Sequence, residues 1–406
     1  MTSEITLAIS LGLASIIWVE IVRDLYHALA HIWSPIYRLH VWHHRVFRPD
    51  LTVANPEIYR QAHWYNDVPE AMVMIVASVL PWFLAKQLHW EYDWVGLSGS
   101  FYTLSFLLSA IARGFGVPRM DELTDLTHRP GPFAEIPGPW LVNRTYHWRH
   151  HFDNQNAYFC GILTLVDRFL GTAVSLKGKT IAVTGASGAL GNSLLKQLHM
   201  AGAKPIALTS SNSPVVLDLP TGKISLETIN WKVGAENELV NLLSRVDILV
   251  LNHGINVRRA RNAQAIESSF EINSFSSWRL MEIFLSTVKT NRDIACKELW
   301  VNTSEAEVGP AISPLYELSK RTIGDLVTLR RLDAPCVVRK MILGPFKSKL
   351  NPVGVMTAPW VASAIVNLVQ RDFRDVIVTI NPLTYVLFPI REFFVSSYFR
   401  LTTRAD

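Results

Sequence analysis

Imidazole offers a transition metal one neutral nitrogen lone pair, and the first part of this chain concentrates it. His27 and His31 stand four apart; His40, His43 and His44 form a second group; His147, His150 and His151 form a third. Side chains three or four apart on a helix lie about one turn from each other, close enough to share one ion. In the second and third groups the first two histidines are spaced by one turn, which sets the adjacent third toward a neighbouring site. Eight histidines so arranged supply two metal ions. Iron, zinc, copper and nickel all accept imidazole, so the ligand type leaves the metal open.

A different chemistry stands near the other end. Tyr316 and Lys320 are four apart, with Ser304 twelve residues upstream of Tyr316 and Asn273 before that. On one helix face, an ammonium stabilises a tyrosinate and brings a phenol toward working pH. Ser304 can hydrogen-bond a reacting carbonyl or alkoxide, and Asn273 can hold a proton-relay water. Further upstream, the apolar run Lys179–Val183 leads into Thr184-Gly185-Ala186-Ser187-Gly188-Ala189-Leu190-Gly191 and then a helical pattern over Asn192–Ala201. Strand, glycine-rich turn and helix form a dinucleotide fingerprint, in which the backbone approaches a pyrophosphate and the helix N-terminus stabilises its charge. Thr184, Gly185, Ser187, Gly188 and Gly191 are the cofactor-binding candidates there, with Ser210, Asn252, Gly254 and Lys320 further on.

Two kinds of scaffold must hold these groups. The chain has 406 residues, 49% hydrophobic and only 18% charged, where soluble domains carry about 25%. Ile5–Val22 is apolar except for Glu20, Ala71–Ala85 is uncharged, and so is Trp94–Ala112. About 17–25 apolar residues make a membrane-spanning helix, and Trp64, Trp82, Trp90 and Trp94 fit an interfacial belt. The first run lacks a basic leader segment, so it reads as a span and not as a signal peptide. The two later runs form a hairpin that returns all three histidine groups to one membrane face. After that come apolar strands at Pro205–Thr209, Asp247–Leu251, Glu298–Asn302 and Cys336–Met341 with helical stretches between, the alternation of a doubly wound parallel sheet. Net charge divides with the chemistry. Residues 1–176 carry 12 Lys+Arg against 15 Asp+Glu, and residues 177–406 carry 27 against 19.

These observations predict an N-terminal all-α membrane domain over 1–176 and a C-terminal α/β Rossmann-like domain over 177–375. The apolar and aromatic segment 376–406 is expected to lie at the bilayer surface. Cys160, Cys296 and Cys336 are far apart and read as reduced, buried thiols. The weak basic excess forms no long Lys/Arg run, which argues against a nucleic-acid partner.

The histidine groups, with Asn143 before the last, Asp153-Asn154 after it and the closing stretch Phe159–Thr172, resemble the fatty acid hydroxylase/sterol desaturase superfamily. That resemblance covers roughly residues 5–175. It implies two irons held by His27, His31, His40, His43, His44, His147, His150 and His151, with dioxygen oxidising a lipid C–H bond. It also implies an added ligand between the second and last groups, for which His128 is the candidate and His63 a weaker one, with His89 interfacial. No flavin, haem or iron–sulfur motif is present, so an external electron donor, ferredoxin-like or haem, is implied.

The second half, roughly 177–375, resembles the short-chain dehydrogenase/reductase family, with Asn252-His253-Gly254 and Gly344-Pro345 in family positions. It implies Asn273, Ser304, Tyr316 and Lys320 as catalytic residues and NAD(P) as cofactor. The glycine spacing is closer to the family's extended branch, Asn230-Trp231 stands where an adenine-contacting acid is expected, and the stretch after Pro345 is short for a lid. The second strand ends in Thr209-Ser210-Ser211 with no acid for a ribose 2′-hydroxyl, which favours NADP over NAD.

Together the two halves predict a multi-pass membrane oxidoreductase with its active sites on the cytoplasmic face and an oligomeric state left open to a homo-oligomer. It would oxidise a sterol, carotenoid or fatty acyl lipid at a C–H bond and interconvert an alcohol and a carbonyl. Two alternatives are a wax-type aldehyde or alkane-forming enzyme and a nucleotide-sensing scaffold with a structural metal.

Overall fold

The computed structural model describes residues 2–220 and 222–404. Two compact units divide the chain at Ala173 and Val174.

In the N-terminal unit three helices are long and apolar enough to cross a membrane by length and composition, within Glu4–Ile32, Pro56–Gln87 and Asp93–Gly114. They fall in α1 (Thr2–Ile32), in α3 (Pro56–Ala62) with α4 (Val68–Gln87), and in α5 (Ser98–Gly114) with the turn before it, and α2 (Ser34–His44) follows α1. Pro81 lies inside α4 without ending it, and the 20 residues of α4 rise about 30 Å at 1.5 Å each. Ile9, Leu13, Val76 and Phe101 point outward. Inward contacts use small residues. Ser15 Oγ donates to the Gly96 carbonyl at 2.6 Å and accepts from Gly99 N–H at 2.9 Å. A Cβ at Gly99 would meet the Ser15 carbonyl oxygen at 2.6 Å, so glycine sets that close approach. Glu20, which interrupts the first apolar run, is buried against Arg23 and the Tyr102 hydroxyl. Its charge is therefore satisfied between the helices.

The C-terminal unit is a seven-stranded sheet of order β5-β2-β1-β6-β7-β8-β9, parallel at every pairing. The strands are β1 (Thr180–Thr184), β2 (Lys204–Thr209), β5 (Glu227–Asn230), β6 (Ile248–Leu251), β7 (Glu298–Asn302), β8 (Val337–Leu343) and β9 (Asp375–Val378). The pair β3 (Val216–Leu219) and β4 (Gly222–Ser225) forms a separate antiparallel hairpin. Side chains alternate across a strand, and β1 shows the result. Ile181 and Val183 pack with Leu194, Ile365 and Val369 on one face, while Ala182 packs with Leu249, Phe284 and Val327 on the other. The segment expected to begin at Val376 as a bilayer-surface element begins instead inside the sheet. Val376 and Val378 are buried in β9, and only the following helix, Pro382–Thr402, presents an apolar outer face.

Two strands carry a buried ion cluster. Arg339 on β8 donates from Nε and Nη2 to the two oxygens of Glu298 on β7, both at 2.8 Å, and Nη2 reaches Asp372 at 2.8 Å. Trp300 Nε1 also donates to Glu298 at 2.9 Å. Removing one partner of such a pair leaves a charge uncompensated in low dielectric, at a cost of about 3–5 kcal/mol. Glu298→Ala is therefore expected to lower the apparent melting temperature of the full chain in detergent by several degrees, measured by differential scanning fluorimetry.

Candidate functional site

In the N-terminal unit nine imidazoles converge in two groups. His27, His31, His40, His44 and His150 form one; His43, His128, His147 and His151 form the other; within each, the candidate ligand atoms all lie within 4.8 Å of one another. His27 Nε2 lies 3.1 Å from His40 Nε2 and 3.0 Å from His150 Nε2. His44 Nε2 lies 2.9 Å from that of His40 and 3.4 Å from that of His31. In the second group, His128 Nε2 is 2.9 Å from His147 Nε2 and 3.2 Å from His151 Nε2.

The division differs from the one the spacing predicts. His40 shares a site with His44, and His147 with His151, while His43 and His150 cross to the other group. On α2 and on the helix Arg144–Phe152 the four-residue pairs face one site together. The residue three along turns about 60° to the opposite side of its partner, since successive residues step about 100°. His128 enters as the ninth imidazole. His63 and His89 stay outside: His63 Nδ1 bonds Asp67 at 2.6 Å, and His89 is exposed.

The hydrogen bonds behind these rings test whether metal fits. His27 Nδ1 lies 2.7 Å from the Phe159 carbonyl oxygen and His150 Nδ1 lies 2.8 Å from that of Ala157. A carbonyl only accepts, so both Nδ1 atoms carry hydrogen, and each neutral ring has a bare lone pair on Nε2. Two lone pairs 3.0 Å apart repel unless a cation lies between them. The donor set therefore fits a transition metal, with the outer hydrogen bonds that metal-binding histidines use. His40 Nδ1 is held by Asn66 Oδ1 at 2.8 Å and His128 Nδ1 by Asp125 Oδ1 at 2.6 Å.

Asn66, Asp67 and Arg113 position the rings with no signal in the sequence pattern. Asp67 accepts from Asn66 Nδ2 at 2.8 Å and pairs with Arg113 at 3.3 Å, and Arg113 also faces Asp125 at 3.7 Å. One chain of polar contacts thus runs from His40 to His128, one ring of each site. Asp167 secures the closing stretch, accepting from Phe159 N–H, Cys160 N–H, Tyr146 Oη and Thr172 Oγ1. Asn143 caps the Arg144–Phe152 helix through Tyr146 N–H at 2.9 Å.

In the C-terminal unit the glycine-rich turn lies between β1 and the helix Ala189–Met200. Gly185 has φ of +64°, a region that disfavours side chains. The helix begins without a side-chain cap, which leaves its first N–H groups free for an anion. Thr184 Oγ1 accepts from Asn252 N–H at 2.8 Å, and Ser187 Oγ accepts from Thr209 Oγ1 at 3.0 Å. Ser210 is exposed at the end of β2, and Asn230 Nδ2 donates to the Ser211 carbonyl at 3.0 Å.

Tyr316 and Lys320 share the helix Pro314–Arg330. Lys320 Nζ donates to the Asn302 carbonyl at 2.9 Å and lies 5.9 Å from the Tyr316 ring centroid. Burial pulls the Lys320 ammonium down to about 8, countered by Glu307. Desolvation pushes the Tyr316 phenol up, and its hydrogen bond with Ser304 opposes this. Desolvation thus outweighs the lowering of the phenol that the Tyr316–Lys320 spacing predicts. Asn273 lies in a π-helical turn, Glu271–Phe275. Its Oδ1 accepts from Ile255 N–H at 2.8 Å, and its Nδ2 donates to the Ile255 carbonyl and to Ser319 Oγ. A Cβ at Gly254 would stand 3.0 Å from Asn273 Oδ1 and 3.9 Å from Lys320 Nζ; glycine keeps that gap open.

The short chain dehydrogenase family profile matches residues 179–334. Monoglucosyldiacylglycerol epimerase of Synechocystis sp. is 62% identical over 402 residues, covering 98% of each chain. The chain belongs to that enzyme's family. Among solved structures, a Sphingobium yanoikuyae short-chain dehydrogenase in complex with NADPH covers 56% of this chain and 99% of its own, with 14% identity and a TM-score of 0.47. A Burkholderia cenocepacia short chain dehydrogenase in complex with NADP covers 57% and 100%, with 16% identity and a TM-score of 0.45. This family member is an oxidoreductase whose C-terminal unit is a short-chain dehydrogenase domain.

A Cβ at Gly191 would meet the Gly185 carbonyl oxygen at 2.2 Å, a backbone clash that distorts the turn. Gly191→Ala is expected to weaken NADPH binding by about tenfold or more, measured by fluorescence titration of the full chain in detergent.

Proposed function

We propose that this chain is a membrane-bound, NADP-dependent oxidoreductase that inverts a secondary hydroxyl-bearing carbon in the hexose of a glycosyl glycerolipid. The observation that carries this reading is the 62% identity, over 98% of both chains, to an enzyme named for epimerising monoglucosyldiacylglycerol. A carbinol hydrogen is not acidic, so proton removal alone does not invert such a carbon. Oxidation to the ketone and reduction from the opposite face does, with no net oxidant.

When bound, the nicotinamide supplies the hydride acceptor for the first half and the hydride donor for the second. Tyr316 Oη takes the hydroxyl proton during oxidation and returns it during reduction. Ser304 Oγ hydrogen-bonds the carbonyl oxygen, and the Lys320 ammonium favours the tyrosinate. Asn273 holds the Ile255 backbone and borders the Gly254 gap, a place for a relay water beside Lys320. Between the halves the sugar must turn to present its other face. The hydroxyls of Thr209, Ser210 and Ser211, with no carboxylate at the end of β2, suit a ribose 2′-phosphate.

The nine-imidazole arrangement supports a second activity on the same lipid class. His27, His31, His40, His44 and His150 would hold one iron, and His43, His128, His147 and His151 the other. Such a centre supplies dioxygen-dependent oxidation of a C–H bond, fed by an external electron donor. Both sites would open on the cytoplasmic side, where NADP and reductant are found.

Glucosyl glycerolipid incubated with the purified chain and NADP under nitrogen separates the two. Epimerised lipid formed without dioxygen or donor supports the first reading; product that requires both supports the second. Tyr316→Phe is expected to slow epimerisation by about 100-fold or more and to flatten its rise with pH, measured by product chromatography. Metal analysis of detergent-purified chain should find about two irons, falling to about one in His150→Ala.

A further inference from the structure

Three loops leave adjacent strands at the carboxyl edge of the sheet and frame the mouth above Tyr316: residues 252–262 after β6, 303–313 after β7 and 344–357 after β8. Ser313 Oγ ties the first two, donating to Asn256 Oδ1 at 2.7 Å. Their tips are unusually apolar for solvent. Ile312, four residues before Tyr316, is 96% exposed, Val353 87% and Val355 69%. Ile312 also holds φ of +56°, where a β-branched residue is strained.

Charge accompanies these tips. Arg258, Arg259, Arg261, Lys347 and Lys349 are all exposed, and none forms an ion pair among the described residues. The carboxylates nearby are engaged inward. Glu305 accepts from Thr379 Oγ1 at 2.6 Å, Glu307 pairs with Lys340 at 3.0 Å, and Glu317 accepts from Ala311 N–H at 2.8 Å. The three loops thus carry five exposed cations and three protruding aliphatic side chains.

We propose that this rim docks the dehydrogenase mouth onto an anionic lipid bilayer. Ile312, Val353 and Val355 enter the interface and the five cations lie over lipid phosphates. The inference rests on the glycolipid reading above: a sugar attached to diacylglycerol stays at the headgroup level, so the site that reacts with it must reach that plane. An amphipathic surface with cations flanking apolar tips is what interfacial binding uses. A second copy is the poorer occupant, because a two-fold contact would set the same cations against each other.

The three native cysteines are buried, which lets single introduced cysteines be labelled selectively. Full-length Val353→Cys, Ile312→Cys and, at the exposed opposite edge before β6, Ser244→Cys would carry an environment-sensitive fluorophore. Each would be reconstituted in vesicles of phosphatidylcholine with phosphatidylglycerol containing nitroxide-labelled lipid. The expected result is quenching at 353 and 312 at least about threefold stronger than at 244, falling by about half or more when salt screens the cations. Quenching at 353 and 312 no stronger than at 244 overturns the proposal, and so does quenching that salt does not change. Self-quenching between labels without lipid quenching assigns the rim to a second copy and also overturns it. The readout contains no substrate, so it stands or falls separately from the epimerase reading. In activity, Ile312→Asp with Val353→Asp should lose about tenfold or more on bilayer glycolipid while keeping turnover of a water-soluble alkyl glucoside.

Discussion

Bare nitrogen lone pairs repel when they meet at about 3 Å with no hydrogen between them. The N-terminal unit gathers nine imidazoles into two groups, and His27 and His150 meet in that way. The carbonyls of Ala157 and Phe159 fix His150 and His27 in the tautomer that turns Nε2 inward. Those carbonyls stay in place because Asp167 gathers the Phe159 and Cys160 N–H groups. The apolar helices contribute the frame, and the Glu20–Arg23 cluster is satisfied among them.

The dehydrogenase unit answers a different constraint, that of bringing groups distant in sequence to one edge of a sheet. Parallel strands put all their carboxyl ends together, so Thr184, Asn252, Asn302 and Ser304 arrive side by side from β1, β6 and β7. Asn302 then links Asn252 to the catalytic helix, its carbonyl holding Lys320 and its amide meeting Asn252. The π-helical turn at Glu271–Phe275 aims Asn273 at the Ile255 backbone, a placement that a regular helix would miss by part of a turn.

Much of this was legible before any coordinates. Apolar runs mark the long helices, although α1 continues ten residues past Val22, to Ile32, where charged residues and histidines break the run. The order of glycine turn, Asn273, Ser304, Tyr316 and Lys320 marked the second site, because each role follows a particular strand. The assignment of His43 and His150 to their groups was not legible. Three- and four-residue spacings both read as one turn, and only the placement of the helix between two sites separates them. Asn66, Asp67 and Arg113 were silent for another reason. Their partners are far off in sequence, 26 residues for Asn66 with His40 and 46 for Arg113 with Asp67, and no periodic pattern announces such a contact.

The closing stretch held by Asp167 also sets a timetable for biosynthesis. His27 stands 123 residues before His150 and 132 before the Phe159 carbonyl that orients it. When α1 first leaves the ribosome, its two imidazoles therefore have none of their later neighbours. Closing so long a loop carries an entropic cost that the helix contacts must meet first. The first histidine cluster becomes complete only when the chain has been made as far as the Asp167 latch, just before the first strand of the sheet emerges. The chain order thus places the last residues of the histidine unit ahead of the first strand of the sheet.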